Sequence, residues 1–113
     1  MHKSRYRFGL FAEYLVMFLY CVKFYSVIAH RKRNYAGEID LICTRGKTLV
    51  FIEVKARGDY TDDVLCTIHQ QERIRRAGLI FLQGNPKYRD FDMRFDLVLI
   101  RPYRWPQVIE NAW

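Results

Sequence analysis

The sequence predicts an α/β fold of three layers (α/β/α), with helices on both faces of a mixed central sheet. Three observations lead there. The hydrophobic pattern changes period along the chain in the order helix, strand, hairpin of strands, helix, strand, an αβββαβ succession. Two of the expected strands, at 41–43 and 49–54, are continuous apolar runs of the kind covered on both faces. Half of the 113 residues are hydrophobic and 16% are aromatic, enough to pack the core of one domain spanning 1–113.

Residues 1–7 form a basic lead-in without the shape of a signal peptide. A helix follows over 8–22, with Phe8, Phe11, Ala12, Leu15 and Phe18 on one stripe and Val16, Met17 and Tyr20 on a second, also apolar face. The apolar run from 8 to 29 is long enough to span a bilayer. Glu13 and Lys23 interrupt it, however, and an acid at mid-bilayer is costly, so the preferred reading is a helix followed by a first strand at 24–30. Residues 30–36 read as a polar connector whose basic run suits phosphate contacts.

The hairpin follows, with its turn at Arg45-Gly46-Lys47. After Arg57 the pattern breaks. Thr61 is the expected N-cap of a second helix, with Asp62 and Asp63 in its first turn and Gly84-Asn85-Pro86 ending it after Leu82. Its inward stripe would hold Val64, Ile68, Ile74, Gly78, Phe81 and Leu82, with Gln71 among them. Residues 91–101 resume strand character, with Asp96 in a turn-stabilising role, and the chain closes on a short strand or turn anchored by Trp113.

The formal charge of +7 favours an anionic partner, carried largely by Arg31-Lys32-Arg33, by Arg73, Arg75 and Arg76, and by Arg101 and Arg104. Cys21, Cys43 and Cys66 have neither CxxC nor Cys/His ligand spacing and read as buried free thiols of a reducing cytosol.

Three charges fall where burial is expected. A turn at Gly46-Lys47 sets Asp40 across from Glu53, and period-two geometry puts Glu53 and Lys55 on one face. Two carboxylates ~4 Å apart repel by ~4 kcal/mol at an effective dielectric of 20. A divalent cation between them removes that repulsion, and oxygen donors suit Mg²⁺. Lys55 beside them would hold a phosphate or help deprotonate a water. The plainer alternative is a structural Asp40–Lys55 salt bridge beside an exposed Glu53.

An Asp followed by Glu-x-Lys on the next strand is similar to the active site of PD-(D/E)xK nucleases. More closely, GEIDLI at 37–42 and FIEVKAR at 51–57, with GLFAEYL near the start and RFDLVLI near the end, resemble the YraN family of small endonucleases. That family is related in pattern to archaeal Holliday-junction resolvases. The resemblance implies a restriction-endonuclease-like fold and Mg²⁺- or Mn²⁺-dependent cleavage of DNA, branched or distorted DNA included. It implies Asp40, Glu53 and the Val54 carbonyl as metal ligands and Lys55 as the catalytic lysine. Glu13 and Gln71 become catalytic accessories, against the alternatives of an ordinary helix glutamate and a buried amide. Gln70 stands where the family commonly has lysine, and ThrAspAsp at 61–63 replaces its usual Phe-Gly. The partner expected is nucleic acid, in the cytoplasm, with no small-molecule cofactor and no membrane, and with a homodimer left open. Two rival readings stand beside it: a binding module that keeps the fold without cutting, and a membrane-associated protein using residues 8–29.

Overall fold

The computed structural model describes residues 2–57 and 66–113. Helix α1 (His2–Val22) leads into strands β1 (Ser26–Asn34), β2 (Gly37–Arg45) and β3 (Thr48–Ala56). Helix α2 (Ile68–Gly84) then carries the chain, through a 3₁₀ turn at Pro86–Tyr88, to β4 (Asp92–Ile100) and β5 (Gln107–Ile109). The five strands lie in sequence order, β1-β2-β3-β4-β5. β3 and β4 run parallel, which requires a crossover such as α2, and every other neighbouring pair is antiparallel. The sheet is therefore mixed, with α1 on one face and α2 on the other, as the pattern of the sequence predicts.

The two faces have separate cores. Ala12, Val16 and Tyr20 of α1 pack on Leu41, Cys43, Val50, Ile52 and Val98. Ile74, Ala77 and Phe81 of α2 pack on Ile39, Phe51, Phe95 and Leu97. α2 approaches the sheet closely at Gly78, where an added Cβ would lie 3.2 Å from the ring of Phe51, itself stacked on Phe95. Glycine is disfavoured inside a helix, and here it makes room for that ring.

Several expectations need correction. On α1 the buried line is Ala12-Val16-Tyr20, whereas Phe11 and Phe18 of the expected stripe are exposed. With apolar residues on all sides, the fit against the sheet and not hydrophobicity decides which line turns inward. β1 continues through the basic residues that read as a connector, ending at Asn34. It is an edge strand, and charged side chains are tolerated along its open side. α2 does not begin near residue 61: Cys66 and Thr67 are not helical, and Thr67 is the N-cap. Its hydroxyl accepts the Gln70 N–H while the Gln70 side chain accepts the Thr67 N–H, a reciprocal cap. Thr61, Asp62, Asp63 and Val64 lie outside the described residues, and Ile68 is exposed instead of inward. Cys21 is exposed, unlike Cys43 and Cys66. Among the described residues no helix is long and apolar enough to cross a membrane.

Candidate functional site

The β2–β3 hairpin sets the geometry. Arg45 pairs with Thr48 across a two-residue turn in which Gly46 takes φ +59°, a conformation glycine adopts without strain. That register runs back to Leu41 opposite Ile52, so Asp40 and Glu53 are the next residues on the two strands. Their carboxyl groups are hydrogen-bonded to each other. Asp40 Oδ2 also accepts the backbone N–H of Val54 at 2.8 Å, replacing a ladder bond beyond the last strand pair.

Lys55 lies two residues beyond Glu53, and its Nζ is 3.0 Å from Glu53 Oε2, the two side chains being 12% and 13% exposed. The ion pair that forms is thus Lys55–Glu53 and not Lys55–Asp40. Burial, the hydrogen bond to Glu53 and the charge of Glu53 push the Asp40 carboxyl up to about 9, against the pull of the Val54 N–H. A carboxyl so placed holds a proton at neutral pH unless a cation takes its place.

Glu13 approaches from α1 and adds to the pressure on Asp40. Its Oε1 lies 2.7 Å from His30 Nε2 and accepts Arg31 Nε at 2.9 Å. Consecutive strand residues normally point to opposite faces. Arg31 has φ +55°, and this twist accompanies the convergence of both side chains on one carboxylate. Sequence reasoning missed this trio, because nothing in a basic run announces a left-handed residue. On the other face, the Gln71 amide donates to the Cys66 carbonyl at 3.1 Å, tying the approach to α2 onto its first turn, and not to the carboxylate pair. Cys66 is close enough to feel both Glu53 and Lys55, and burial pushes its thiol up. Glu38 pairs with Arg33 at 3.1 Å at the outer end of the β1–β2 hairpin.

Asp96 has a larger part than a turn-stabilising one. It is fully buried (0% exposed) and accepts four hydrogen bonds from three residues. Tyr20 Oη lies at 2.7 Å, Arg94 Nε and Nη2 at 2.9 Å each, and the Asn111 N–H at 3.0 Å. This network joins α1, β4 and the C-terminal turn. Burial and the neighbouring carboxylate raise the Tyr20 phenol, so it stays a donor. The acid sits level with Ile52 and bonds toward α1, apart from the Asp40–Glu53 contact.

Among the described residues no group of three or more His, Cys, Asp and Glu side chains could hold a metal ion. The donors available are two carboxylates and backbone carbonyls next to them. That hard-oxygen set fits Mg²⁺, which commonly takes one or two carboxylates and completes its shell with water and substrate phosphate. The proton that the Asp40–Glu53 pair demands marks the same place as one of cation deficit. A shallow groove of about 360 Å³ lies elsewhere, between Tyr35 and Ala36 at the β1–β2 turn and Arg76, Leu79, Ile80 and Gln83 of α2.

A model of the family described as "Uncharacterised protein family UPF0102" matches residues 12–100, which hold Glu13, Asp40, Glu53, Lys55 and Gln71. Similar curated relatives span nearly the whole chain. A UPF0102 protein of Parvibaculum lavamentivorans is 46% identical over 112 residues, covering 97% of this chain and 84% of that protein. Another from Mesorhizobium japonicum is 41% identical over 98% of this chain and 90% of its own length. A third, from Maricaulis maris, is 44% identical over 93% of this chain and 84% of its own.

Proposed function

The chain belongs to the UPF0102 family, and from that premise and its site geometry we propose that it is a Mg²⁺-dependent nuclease, with Mn²⁺ able to substitute. Its substrate is DNA, branched or otherwise distorted, and its reaction is hydrolysis of a phosphodiester bond. One observation carries the reading: two hydrogen-bonded carboxyls with a lysine 3.0 Å from one of them, on a chain of formal charge +7. Burying one carboxyl against another costs stability, and such pairs cluster at functional sites, which supports a use for this one beyond packing.

In this reading Asp40 and Glu53 hold the ion together with the Val54 carbonyl. The bound ion would supply Lewis acidity and neutralise charge on the scissile phosphate. The chain's own groups do the rest. The Val54 N–H fixes the orientation of the Asp40 carboxyl, so a cation that displaces the proton between Asp40 and Glu53 would meet an oxygen already in place. Lys55 keeps a positive charge beside the place where phosphate would sit, and stabilises the charge that builds there. Glu13 acts at one remove, holding His30 and Arg31 beside the pair, where the Arg31 guanidinium would face a nucleic-acid backbone. Gln71 is an accessory from α2 whose amide holds Cys66, a neighbour of Glu53 and Lys55.

The test is incubation of the purified protein with linear, supercoiled, flapped and four-way DNA in Mg²⁺ and in Mn²⁺. Metal-dependent product supports the reading. Salt-sensitive binding to branched DNA without product in either metal would instead identify a binding module that keeps the fold.

A further inference from the structure

The loop that joins β4 to β5, residues 101–106, reads Arg-Pro-Tyr-Arg-Trp-Pro. Among the described residues Tyr103 and Trp105 are the most exposed large hydrophobic side chains, at 102% and 92%. Rings of that size left wholly in water forgo the burial that drives folding, and two of them flanking an arginine on one short loop offer a partner a contact surface. Tyr103 also sits at φ +60°, rare for a bulky residue and one of the strained conformations that cluster at binding sites and switch segments. Pro102 and Pro106 flank the pair and stiffen the loop. A stiff loop loses little further freedom when its rings are covered.

The loop leaves the sheet at the edge that carries the carboxylates. β3 and β4 are in parallel register, with Lys55 beside Leu99 and Ala56 beside Ile100, and the Arg57 N–H donates to the Ile100 carbonyl at 3.0 Å. Strands lie ~4.8 Å apart and rise at most ~3.4 Å per residue, so Tyr103 is within ~20 Å of Lys55 along the backbone. Ring, arginine and ring follow one another at 103, 104 and 105, with Arg104 exposed between the two. Aromatic faces for bases with an interleaved cation for phosphate form the chemistry of single-strand binding.

We propose that Tyr103 and Trp105 are a stacking platform for unpaired bases of a DNA strand whose backbone Arg104 contacts. The substrate of the carboxylate site is then DNA with a single-stranded segment next to the cut. The position relative to a cut rests on the nuclease reading; the stacking does not. Paired bases already cover one another and present no free face. A second copy docking through this loop would bring Arg104 toward its own symmetry mate, since an isologous interface repeats the same patch. The charge therefore favours a polyanion.

The experiment is a titration of the full chain with an oligo-dT strand and with a blunt duplex of equal length, in EDTA so that nothing is cut. Binding is read by anisotropy of the labelled DNA and by tryptophan emission, with Trp105→Phe separating Trp105 from Trp113. We expect oligo-dT to quench Trp105. Tyr103→Ala and Trp105→Ala should each weaken oligo-dT binding by roughly 5- to 150-fold, the worth of one stacked base. Trp105→Phe should retain most of the affinity, and duplex binding should change little. Equal losses on both DNAs, no loss on either, or a variant that turns a dimer into a monomer in sedimentation would overturn the platform. The two readings fail separately. Alanine variants that bind oligo-dT as the wild type does and still cut flapped DNA remove the platform and leave the nuclease, whereas selective single-strand binding without cutting does the reverse.

Discussion

Asp40→Asn, compared with the wild type across pH in the absence of divalent metal, probes the feature on which the site depends. The folded protein holds the Asp40 carboxyl at about 9, far above its ordinary value of 3.8. Between those values the native state keeps a proton that the unfolded chain has lost. The contribution to stability is thus complete below the unfolded value and is lost as pH rises through the folded one. Each pH unit over which that proton is held costs the native state on the order of 1 kcal/mol, so wild-type stability should fall by on the order of 2–3 kcal/mol between pH 6 and pH 8 from this group. For a chain of this size that is on the order of 10 °C in Tm. Asparagine has the same shape, can accept the Val54 N–H, and offers Glu53 a permanent donor. Its curve should lack this slope, and the variant should outlast the wild type at pH 8. The difference between the two curves isolates Asp40 from the histidines. Mg²⁺ should restore the wild type at pH 8 and leave the variant unmoved. Parallel curves for the two proteins, or a metal response that survives in Asp40→Asn, would mean that Asp40 is neither the protonated group nor a cation ligand.

Lys55→Ala removes the partner of a largely buried Glu53, so it should cost about 1–3 kcal/mol in metal-free denaturant melts. Saturating Mg²⁺ should recover most of that loss, because a cation replaces the missing ammonium, while cleavage stays down by ~10²–10³-fold. Tyr20→Phe deletes one of the donors to buried Asp96 and should cost about 1–3 kcal/mol, with no change in Mg²⁺ affinity measured by calorimetry.

The carboxylate pair was legible because a two-residue hairpin turn fixes register by counting: once Arg45 faces Thr48, Asp40 and Glu53 must be next-door residues. The α/β order was legible for a similar reason, since the apolar runs at 41–43 and 49–54 change period cleanly from the helices around them. Other features depend on contacts that no local pattern encodes. The partners of Asp96 come from residues 20, 94 and 111, and an aspartate in an apolar strand shows only that some partners must exist. The reach of β1 was hidden because its outer half is basic, as an edge strand allows and a central strand does not. The start of α2 had a readable signal in Thr67 and Gln70, a cap and its third residue. The acids after Thr61 are the stronger compositional cue and drew the expected boundary toward the N-terminus.

If Asp40, Glu53 and Lys55 cut DNA with a divalent ion, the loss of any one of them should stop the reaction. The rate of cleavage of an end-labelled flapped DNA is followed in Mg²⁺, with EDTA as control, for the wild type and for Asp40→Ala, Glu53→Ala and Lys55→Ala, each shown to be folded by circular dichroism. Product is expected from the wild type in Mg²⁺ alone and essentially none from any of the three variants. Cleavage that persists in folded Asp40→Ala, or a folded wild type that yields no product from any DNA structure in Mg²⁺ or Mn²⁺, would contradict it.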